Sequence, residues 1–267
     1  MSPRRASSEE KNNRYNVRVL DRAVNILLTL ADGKPRTLQE VSDAISLSPS
    51  TTFRLLATLS CYKFVQKDAL GRYSLGLTCL ELARAYYESN DLRKVALPEL
   101  EALRDEVKET VHLAILEGTE VVYLEKLPGL HAIGLMGSRV GGRAPAYCTG
   151  LGKVLLAHLK PEEIEDFLRK QPLTPFTERT ITDPEKLKCE LEEIRKAGYA
   201  LDRGEHEAEV RCVAAPIFDM HGSVVAAISI SGPAGRMEPL DANCGLVERA
   251  CQTARAISEK LGFRPRV

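Results

Sequence analysis

The sequence predicts an α+β protein with two domains of unequal size: a small helical domain carrying a β-hairpin, and a larger one with a mainly antiparallel sheet flanked by helices. Three observations support this. The 267 residues exceed the usual size of one domain. Two helix-start signals lie close together near the N-terminus. Later apolar runs come in pairs around tight turns, which is typical of antiparallel hairpins.

The composition excludes several classes of protein. No apolar run approaches the ~20 residues of a membrane span, and the polar start "MSPRRASSEEKNNRYN" lacks the apolar region of a signal peptide. Seven cysteines occur without a CxxC pair, and HExxH is absent, so neither a disulfide framework nor a metal site is predicted. We therefore expect a cytoplasmic protein with reduced thiols, no membrane contact and no cofactor.

The formal net charge of zero conceals two opposite parts. Residues 1–78 hold 12 Lys+Arg and 7 Asp+Glu, a net charge of +5, and the remainder has a net charge of −5. A basic N-terminal part is suited to meet phosphate, because electrostatic steering acts locally, within a Debye length of about 10 Å. A chance imbalance of this size is the alternative.

The first elements are helical. The segment "VRVLDRAVNILLTLA" repeats apolar residues at helical spacing, and one face carries Leu20, Val24, Leu27 and Leu28. After the break "DGKP", the segment "TLQE" forms a capping box in which Thr37 and Glu40 begin a short helix that ends near Ser46.

A second helix begins at once, and a hairpin follows it. Ser48 can cap this helix, and Pro49 suits its first position, so the two short helices form a helix-turn-helix. The segment "KFVQKDALGRYSLG" predicts a hairpin of the kind that forms the wing of a winged helix. We therefore predict a polar tail over residues 1–14, a winged helix-turn-helix over 15–76, a linker helix over 77–90 and a larger domain over 91–267.

The larger domain alternates helices with hairpins. Strands are predicted in "VHLAILEGTEVVYLEKL", in "HAIGLM" and in "RCVAAPIFDMHGSVVAAISISG". Helices are predicted in "DLRKVALPELEALRDEVKET", "GLGKVLLAHL", "PEEIEDFLRK", "TDPEKLKCELEEIRKAGY" and over residues 240–261. Capping by Asp183 and an ending at Gly198 mark the fourth of these helices.

Several of these strings together resemble one protein family. In order, "SPSTTFRLLATL", "GRYSLG", "ETVHLAILEG", "SRVGGRAPAYCTGLGKVLLA", "TERTITDP" and "IRKAGYALD" are similar to the IclR family of bacterial transcriptional regulators. The resemblance spans nearly the whole chain. It implies a winged helix-turn-helix, a linker helix, and a GAF-like domain that binds a small organic acid. It also implies a homodimer or a dimer of dimers on a palindromic operator in double-stranded DNA.

Candidate DNA contacts follow from the second helix and the hairpin. The start of such a helix meets base edges, where serine, threonine and arginine side chains donate to bases or phosphates. The hydroxyl run fits capping alone equally well, and the neighbouring helix and wing favour DNA. Phe53, Leu55, Leu56 and Leu59 are expected to face inward. The expected DNA-binding residues are Ser48, Ser50, Thr51, Thr52, Arg54, Lys67, Arg72 and Arg18, with Arg14 and Arg22 as further phosphate contacts.

Candidate effector contacts follow partly from chemistry and partly from the resemblance. Exposed amides where "CTGLGK" opens a helix favour a carboxylate, although a lone GxG is more often a packing feature. The resemblance implies that Gly150, Leu151, Asp202, Cys212, Ser229 and Ser231 line the effector pocket. Apolar residues would supply its wall, although such residues in a sheet are more often plain core: Ile133, Leu135, Met136, Ala144 and Val210.

Two other functions and one departure from the family pattern are open at this stage. Cys212 or Cys148 could act as a redox sensor, and Cys212, His206 and Asp202 could form a hydrolase site. The acidic surroundings of His206 indicate an exposed loop, and the helix-turn-helix would be idle in a hydrolase. Glu209 stands where the family usually has glycine, which would put a carboxylate near the pocket unless it points to solvent.

Overall fold

The computed structural model describes residues 17–89, 91–130, 136–237 and 244–264, and the chain divides after Ser89 into two compact units. The N-terminal unit contains three helices, a two-stranded hairpin and a fourth helix. In order, these are α1 (Arg18–Leu30), α2 (Leu38–Ala44), α3 (Pro49–Cys61), β1 (Val65–Lys67), β2 (Tyr73–Leu75) and α4 (Leu77–Ser89). The predicted winged helix-turn-helix is confirmed.

The turn between α2 and α3 is set by the residues that cap the two helices. The Thr37 hydroxyl accepts from the Glu40 amide, and the Glu40 carboxylate accepts from the Thr37 amide, which closes the predicted capping box. Ser46 takes a left-handed conformation with φ of 54°, which reverses the chain within the turn. Ser48 then caps α3, and Pro49 occupies its first turn.

The core of the N-terminal unit lies between α1, α2, α3 and the hairpin, and consists of Ile26, Leu30, Val41, Leu56, Val65 and Tyr73. The apolar face predicted for α1 contributes only Leu27 to this core. Leu20, Val24 and Leu28 are instead each more than half exposed. The helix therefore has a second apolar stripe that the described N-terminal unit does not cover.

A bridge from the segment after α1 fixes the wing. Arg36 pairs with Tyr73 of β2 through two backbone hydrogen bonds. Its guanidinium also makes a bidentate pair with Asp32 and donates to the carbonyl of Thr29. Hydrogen bonding from Arg36 holds the pKa of Asp32 well below its usual range.

The C-terminal unit has one six-stranded antiparallel sheet in the order β5-β4-β3-β8-β7-β6. The strands are β3 (Thr110–Glu117), β4 (Glu120–Leu127), β5 (Arg143–Pro145), β6 (Ala200–Asp202), β7 (Val210–Phe218) and β8 (Val224–Pro233). The helices are α5 (Asp91–Val107), α6 (Gly150–Ala157), α7 (Pro161–Lys170), α8 (Pro184–Ala197), α9 (Ala234–Met237) and α10 (Cys244–Lys260). This confirms the predicted antiparallel sheet flanked by helices.

The alternation of side chains along the strands gives the sheet two buried faces. On β8, Ile228 and Ile230 pack in the cluster beneath α5 and α10. Ala227 and, on β7, Ala214 pack in the cluster beneath α6, α7 and α8. Ser229 and Ser231 share this second face, because residues two apart point the same way. The face beneath α6 therefore carries the hydroxyls of Ser229 and Ser231.

The sequence did not predict three short elements, and two further predictions fall at least partly outside the described residues. The three-residue strands β5 and β6 and the four-residue helix α9 were not anticipated. The strand predicted in "HAIGLM" falls mostly on residues 131–135, which lie outside the described residues, and Met136 is not in a strand. The last helix is described from Cys244, so its predicted start at residue 240 lies outside the described residues as well.

Candidate functional site

The first turn of α3 presents a cluster of hydroxyl groups. Ser48 Oγ lies 2.9 Å from Thr51 Oγ1 and 3.2 Å from Ser50 Oγ, and it accepts a hydrogen bond from the Thr51 amide. Ser48 and Ser50 are exposed and Thr51 is partly exposed. Ser48 therefore caps the helix, and the three hydroxyls together can donate to an external acceptor.

Thr52 and Phe53 of α3 have the opposite burial to the one that the sequence suggested. Thr52 is fully buried, and its hydroxyl donates to the carbonyl of Ser48 at 3.1 Å, so the prediction that it faces DNA is wrong. Phe53 is 52% exposed, so the prediction that it anchors the helix is wrong too. The inward stripe runs through positions 52, 55, 56 and 59, and position 53 lies about 100° away from position 52 around the helix.

The basic residues predicted to contact DNA differ in exposure and in the partners of their side chains. Arg54 is exposed on α3. Lys67 is exposed beside the wing turn with its ammonium 5.3 Å from the Tyr73 ring centroid, whereas Arg72 donates from Nε to Asp68 at 2.9 Å within that turn. Arg18 is exposed and Arg22 is partly exposed on α1, and Arg14 lies outside the described residues.

A cavity of about 50 Å³ opens on the α6 face of the C-terminal sheet. Its volume corresponds to roughly three to five water molecules. The residues that line it are His112, Tyr123, Met136, Ser138, Thr149, Gly150, Leu151, Asp202, His206, Glu207, Val210, Cys212, Ser229 and Ser231. Eight of the eleven predicted effector residues are among them. Ala144 lies in the apolar core instead, and Ile133 and Leu135 lie outside the described residues.

Two glycines allow the N-terminus of α6 to reach the cavity. A Cβ at Gly150 would lie 3.0 Å from Cys212 Sγ, and one at Gly152 would lie 2.1 Å from the carbonyl oxygen of Ala146. Thr149 caps the helix by accepting from the Gly152 amide, and its carbonyl accepts from the Lys153 amide. The donors at the start of α6 are therefore the amides of Gly150 and Leu151, at the positive end of the helix dipole.

His112 is a cavity residue that the sequence reasoning missed. Its Nε2 lies 2.9 Å from Ser138 Oγ and its Nδ1 lies 3.3 Å from Ser229 Oγ, which in turn lies 3.3 Å from Ser231 Oγ. Burial lowers the pKa of His112 to about 3, so the ring is neutral at pH 7. Strand pairing brings His112 to Ser229, and the segment before β5 brings Ser138 to the ring, so no local pattern signals the contact.

The loop between β6 and β7 forms one wall of the cavity. Asp202 is buried, and its Oδ1 accepts from the amides of Gly204 and Glu205, which folds the loop back on itself. Burial raises the pKa of Asp202. The side chain of Glu205 is also buried, and its Oε1 accepts a hydrogen bond from the Lys153 ammonium at 2.5 Å.

Lys153 holds this loop to two helices. It is fully buried on α6 and also donates to Glu190 of α8 at 2.9 Å and to the carbonyl of Leu201 at 2.8 Å. Burial alone would lower the pKa of Lys153, but the carboxylates of Glu205 and Glu190 outweigh it and raise the pKa. These contacts make Lys153 the centre of a structural ion-pair network.

One prediction for the acidic loop is wrong, and an alternative left open for this loop is decided. His206 was expected in an exposed loop, but it lines the cavity and packs against Phe176 at 4.9 Å between ring centroids. For Glu209 the sequence left open a carboxylate near the pocket or one that points to solvent, and its side chain is exposed. The carboxylate that does line the cavity is that of Glu207, two residues earlier.

The cavity thiol is poorly suited to redox or nucleophilic chemistry. Burial raises the pKa of Cys212 to about 12, and burial also raises the pKa of Cys148 well above its usual value. Within the part of the chain that the structure describes, no group of three His, Cys, Asp or Glu side chains is arranged to hold a metal ion. No helix there is long and apolar enough to cross a bilayer.

A winged helix-turn-helix followed by a domain with a small polar cavity defines the class of ligand-responsive DNA-binding regulators. Comparison with known families places the chain within that class. A model of the IclR helix-turn-helix domain matches residues 19–69, and one of the bacterial transcriptional regulator IclR C-terminal domain matches residues 84–259. The chain belongs to the IclR family and is a transcriptional regulator.

Individual relatives agree with this assignment over nearly the full length. The HTH-type transcriptional repressor AllR of Klebsiella pneumoniae is 36% identical over 263 residues, which cover 98% of this chain and 96% of AllR. The regulator BhcR of Paracoccus denitrificans is 36% identical and covers 94% of this chain and 88% of BhcR. An IclR homologue from Microbacterium hydrocarbonoxydans, solved with 4-hydroxybenzoate, has a TM-score of 0.82 at 33% identity and covers 91% of this chain and 98% of its own.

Proposed function

We propose that this regulator binds a palindromic operator as a homodimer or a dimer of dimers, and that a small organic acid in the C-terminal cavity changes its affinity for that operator. The observation that carries the proposal is the cavity itself. It combines helix-start amides with the hydroxyl donors Ser229 and Ser231. Such donors suit a carboxylate, because each offers a hydrogen bond to an anion. The structural neighbour solved with 4-hydroxybenzoate supports the same ligand class.

On the DNA side, the proposal assigns the first turns of α3 to the major groove and the wing to the flanking backbone. Ser48, Ser50, Thr51 and Arg54 would make the α3 contacts, and Lys67 and Arg72 would make the wing contacts. The exposed hydroxyl cluster and the exposed guanidinium of Arg54 support this assignment. Arg18 would add a phosphate contact, and the positive net charge of the first 78 residues favours all of them.

Self-association is supported by apolar side chains that are exposed among the described residues. Leu20, Val24 and Leu28 form an exposed stripe along α1. On α4, exposed apolar residues include Leu77, Leu80 and Leu82. Covering such surfaces in a second copy would bury apolar area and pair two α3 helices on one operator.

The cytoplasm is the proposed site of action, and regulation rather than catalysis is the proposed activity. A hydrolase based on Cys212 and His206 would need a thiolate, and so would a redox sensor based on Cys212 or Cys148. The raised pKa values of both thiols oppose that state.

The test is to isolate bound fragments from genomic DNA with the purified chain and then to titrate the recovered operator with and without a panel of small carboxylic acids. We expect an inverted-repeat operator, and at least one acid that both raises the melting temperature of the protein and shifts its DNA affinity. Failure to enrich any DNA, or a DNA affinity that no bound acid changes, would contradict the proposal.

A further inference from the structure

Glu207 presents an acceptor in the cavity that nothing in the described part of the chain satisfies. Its Oε1 accepts a hydrogen bond from the amide of Gly137 at 3.2 Å. Its Oε2 is buried and has no hydrogen-bond partner among the described residues. A buried carboxylate oxygen without a donor costs free energy, so a ligand that supplies a donor there gains affinity.

The cavity contains two kinds of hydrogen-bonding group. Several donors can bind a ligand carboxylate, and Glu207 can accept from a different group of the same ligand. The α6 amides and the hydroxyls of Ser229 and Ser231 can donate to an anion. Glu207 is a carboxylate and would repel that anion, so it is suited to a different part of the same molecule. The ligand should therefore carry both a carboxylate and a hydrogen-bond donor.

The neighbouring charge favours a neutral donor. Lys126 Nζ donates to the carbonyls of Met136 and Ser138, on either side of Gly137. Burial lowers the pKa of Lys126, and the charge of Glu207 acts in the opposite direction, so the two groups already interact. A ligand ammonium at Glu207 would add a second cation near Lys126, whereas a hydroxyl would not.

We propose that the cavity selects short-chain hydroxy acids over the corresponding oxo acids, and that Glu207 sets this preference by accepting the hydrogen bond of the ligand hydroxyl. The proposal rests on the C-terminal cavity being the effector site, and it adds the chemical class of the effector and a specificity-determining residue. The small volume of the cavity suits small acids.

The test compares matched pairs of acids by calorimetry on the full-length protein. Lactate against pyruvate, and 3-hydroxybutyrate against acetoacetate, differ only by a hydroxyl or an oxo group, and alanine replaces the hydroxyl by an ammonium. We expect the hydroxy acid of at least one pair to bind about tenfold tighter than its oxo partner. Equal binding within both pairs, or tighter binding of alanine, would overturn the proposal.

Glu207→Gln sharpens this comparison because of the Gly137 hydrogen bond. The amide of Gly137 would hold the Gln oxygen, which leaves the Gln NH₂ where Oε2 was and replaces an acceptor by a donor. We expect this variant to lose the preference for hydroxy acids or to reverse it. Glu209→Gln is the matched control, since the same change two residues away affects an exposed side chain. A preference unchanged in Glu207→Gln would exclude the role of Glu207.

The outcomes for the proposed function and for this inference are separable. If other acids shift DNA affinity but neither pair binds selectively, the regulator assignment stands and the hydroxy-acid preference is wrong. If hydroxy acids bind selectively without any change in DNA affinity, the preference stands and effector regulation is wrong. The comparison in the unmodified protein decides the first case even if Glu207→Gln does not fold.

Discussion

The hydroxyl of Ser229 lies 3.3 Å from Nδ1 of His112, although the two residues are 117 positions apart in the chain. They are direct partners in the β3–β8 register, so the hydrogen bonds of the sheet fix their separation. Both side chains are buried on the sheet face that lines the cavity. The sheet thus builds a rigid polar patch in an otherwise apolar layer, and this patch is the floor that a ligand would meet.

The serine pair of that floor gives the first prediction. Replacing Ser229 and Ser231 together by alanine removes two neutral donors while the buried strand keeps its apolar packing. We expect an acid effector to lose its influence on DNA affinity, with binding weakened by about tenfold or more. DNA titration with and without the acid measures this. Ser223→Ala, at an exposed turn position, is the control, and a normal response in the double variant would move the effector site elsewhere.

The buried imidazole predicts a pH dependence of folding. Burial lowers the pKa of His112 to about 3, against about 6.5 in the unfolded chain. Between these values only the unfolded state binds the proton. Stability from this group is therefore complete above pH 6.5 and is lost as the pH falls from 6.5 towards 3, by about 2 kcal/mol at pH 5.

Urea unfolding at pH 7.5 and pH 5 measures this loss, and His112→Asn is the control because it cannot titrate. We expect the variant to lose less stability on acidification than the unmodified protein. The same loss in both proteins would show that His112 does not stay neutral in the fold.

The buried ammonium of Lys153 gives a prediction about stability. Lys153→Met keeps the length of the side chain and removes the charge that Glu205 faces at 2.5 Å. Leaving a buried carboxylate unpaired costs about 3–5 kcal/mol. Thermal unfolding should therefore show a large fall in melting temperature, and adding Glu205→Gln should restore part of it. Lys186→Met, on the exposed side of α8, should have little effect, and a similarly mild Lys153→Met would refute a stabilising ion pair.

The sequence predicted the helix starts, which depend on neighbouring residues. It did not predict the short edge strands or two of the cavity residues, which depend on contacts between distant parts of the chain. Ser48 and Pro49 mark the start of α3, and Asp183 marks the start of α8, because caps act within one turn. The three-residue strands β5 and β6 carry too few residues to show a period, and they form because β4 and β7 offer them an edge. His112 and Glu207 reach the cavity through the sheet register and a loop, and neither leaves a signal in the neighbouring residues.

The error in α3 has a simpler origin. Residue type suggested that a phenylalanine is buried and a threonine exposed, but the angular position on the helix decides, and position 52 lies on the inward stripe with Leu56. Thr52→Val should therefore cost about 1 kcal/mol of stability through the lost hydrogen bond to Ser48, with an operator affinity within about twofold of normal. Thr51→Val is the matched comparison and should weaken operator binding. Equal DNA defects in the two variants would argue against the burial of Thr52.

Arg54 gives the sharpest prediction for the DNA surface. Its side chain is exposed on α3, and a guanidinium at such a position can donate in pairs to a guanine or grip a phosphate. Arg54→Ala should weaken binding to the operator by about tenfold to hundredfold, and melting temperature and effector binding should be preserved because the side chain packs on no core. The control is Arg169→Ala on α7, where the side chain is 75% exposed and the loss of charge is the same. If both variants bind DNA equally well, α3 does not read the operator through Arg54. If both weaken it equally, overall charge rather than the position of the guanidinium governs affinity.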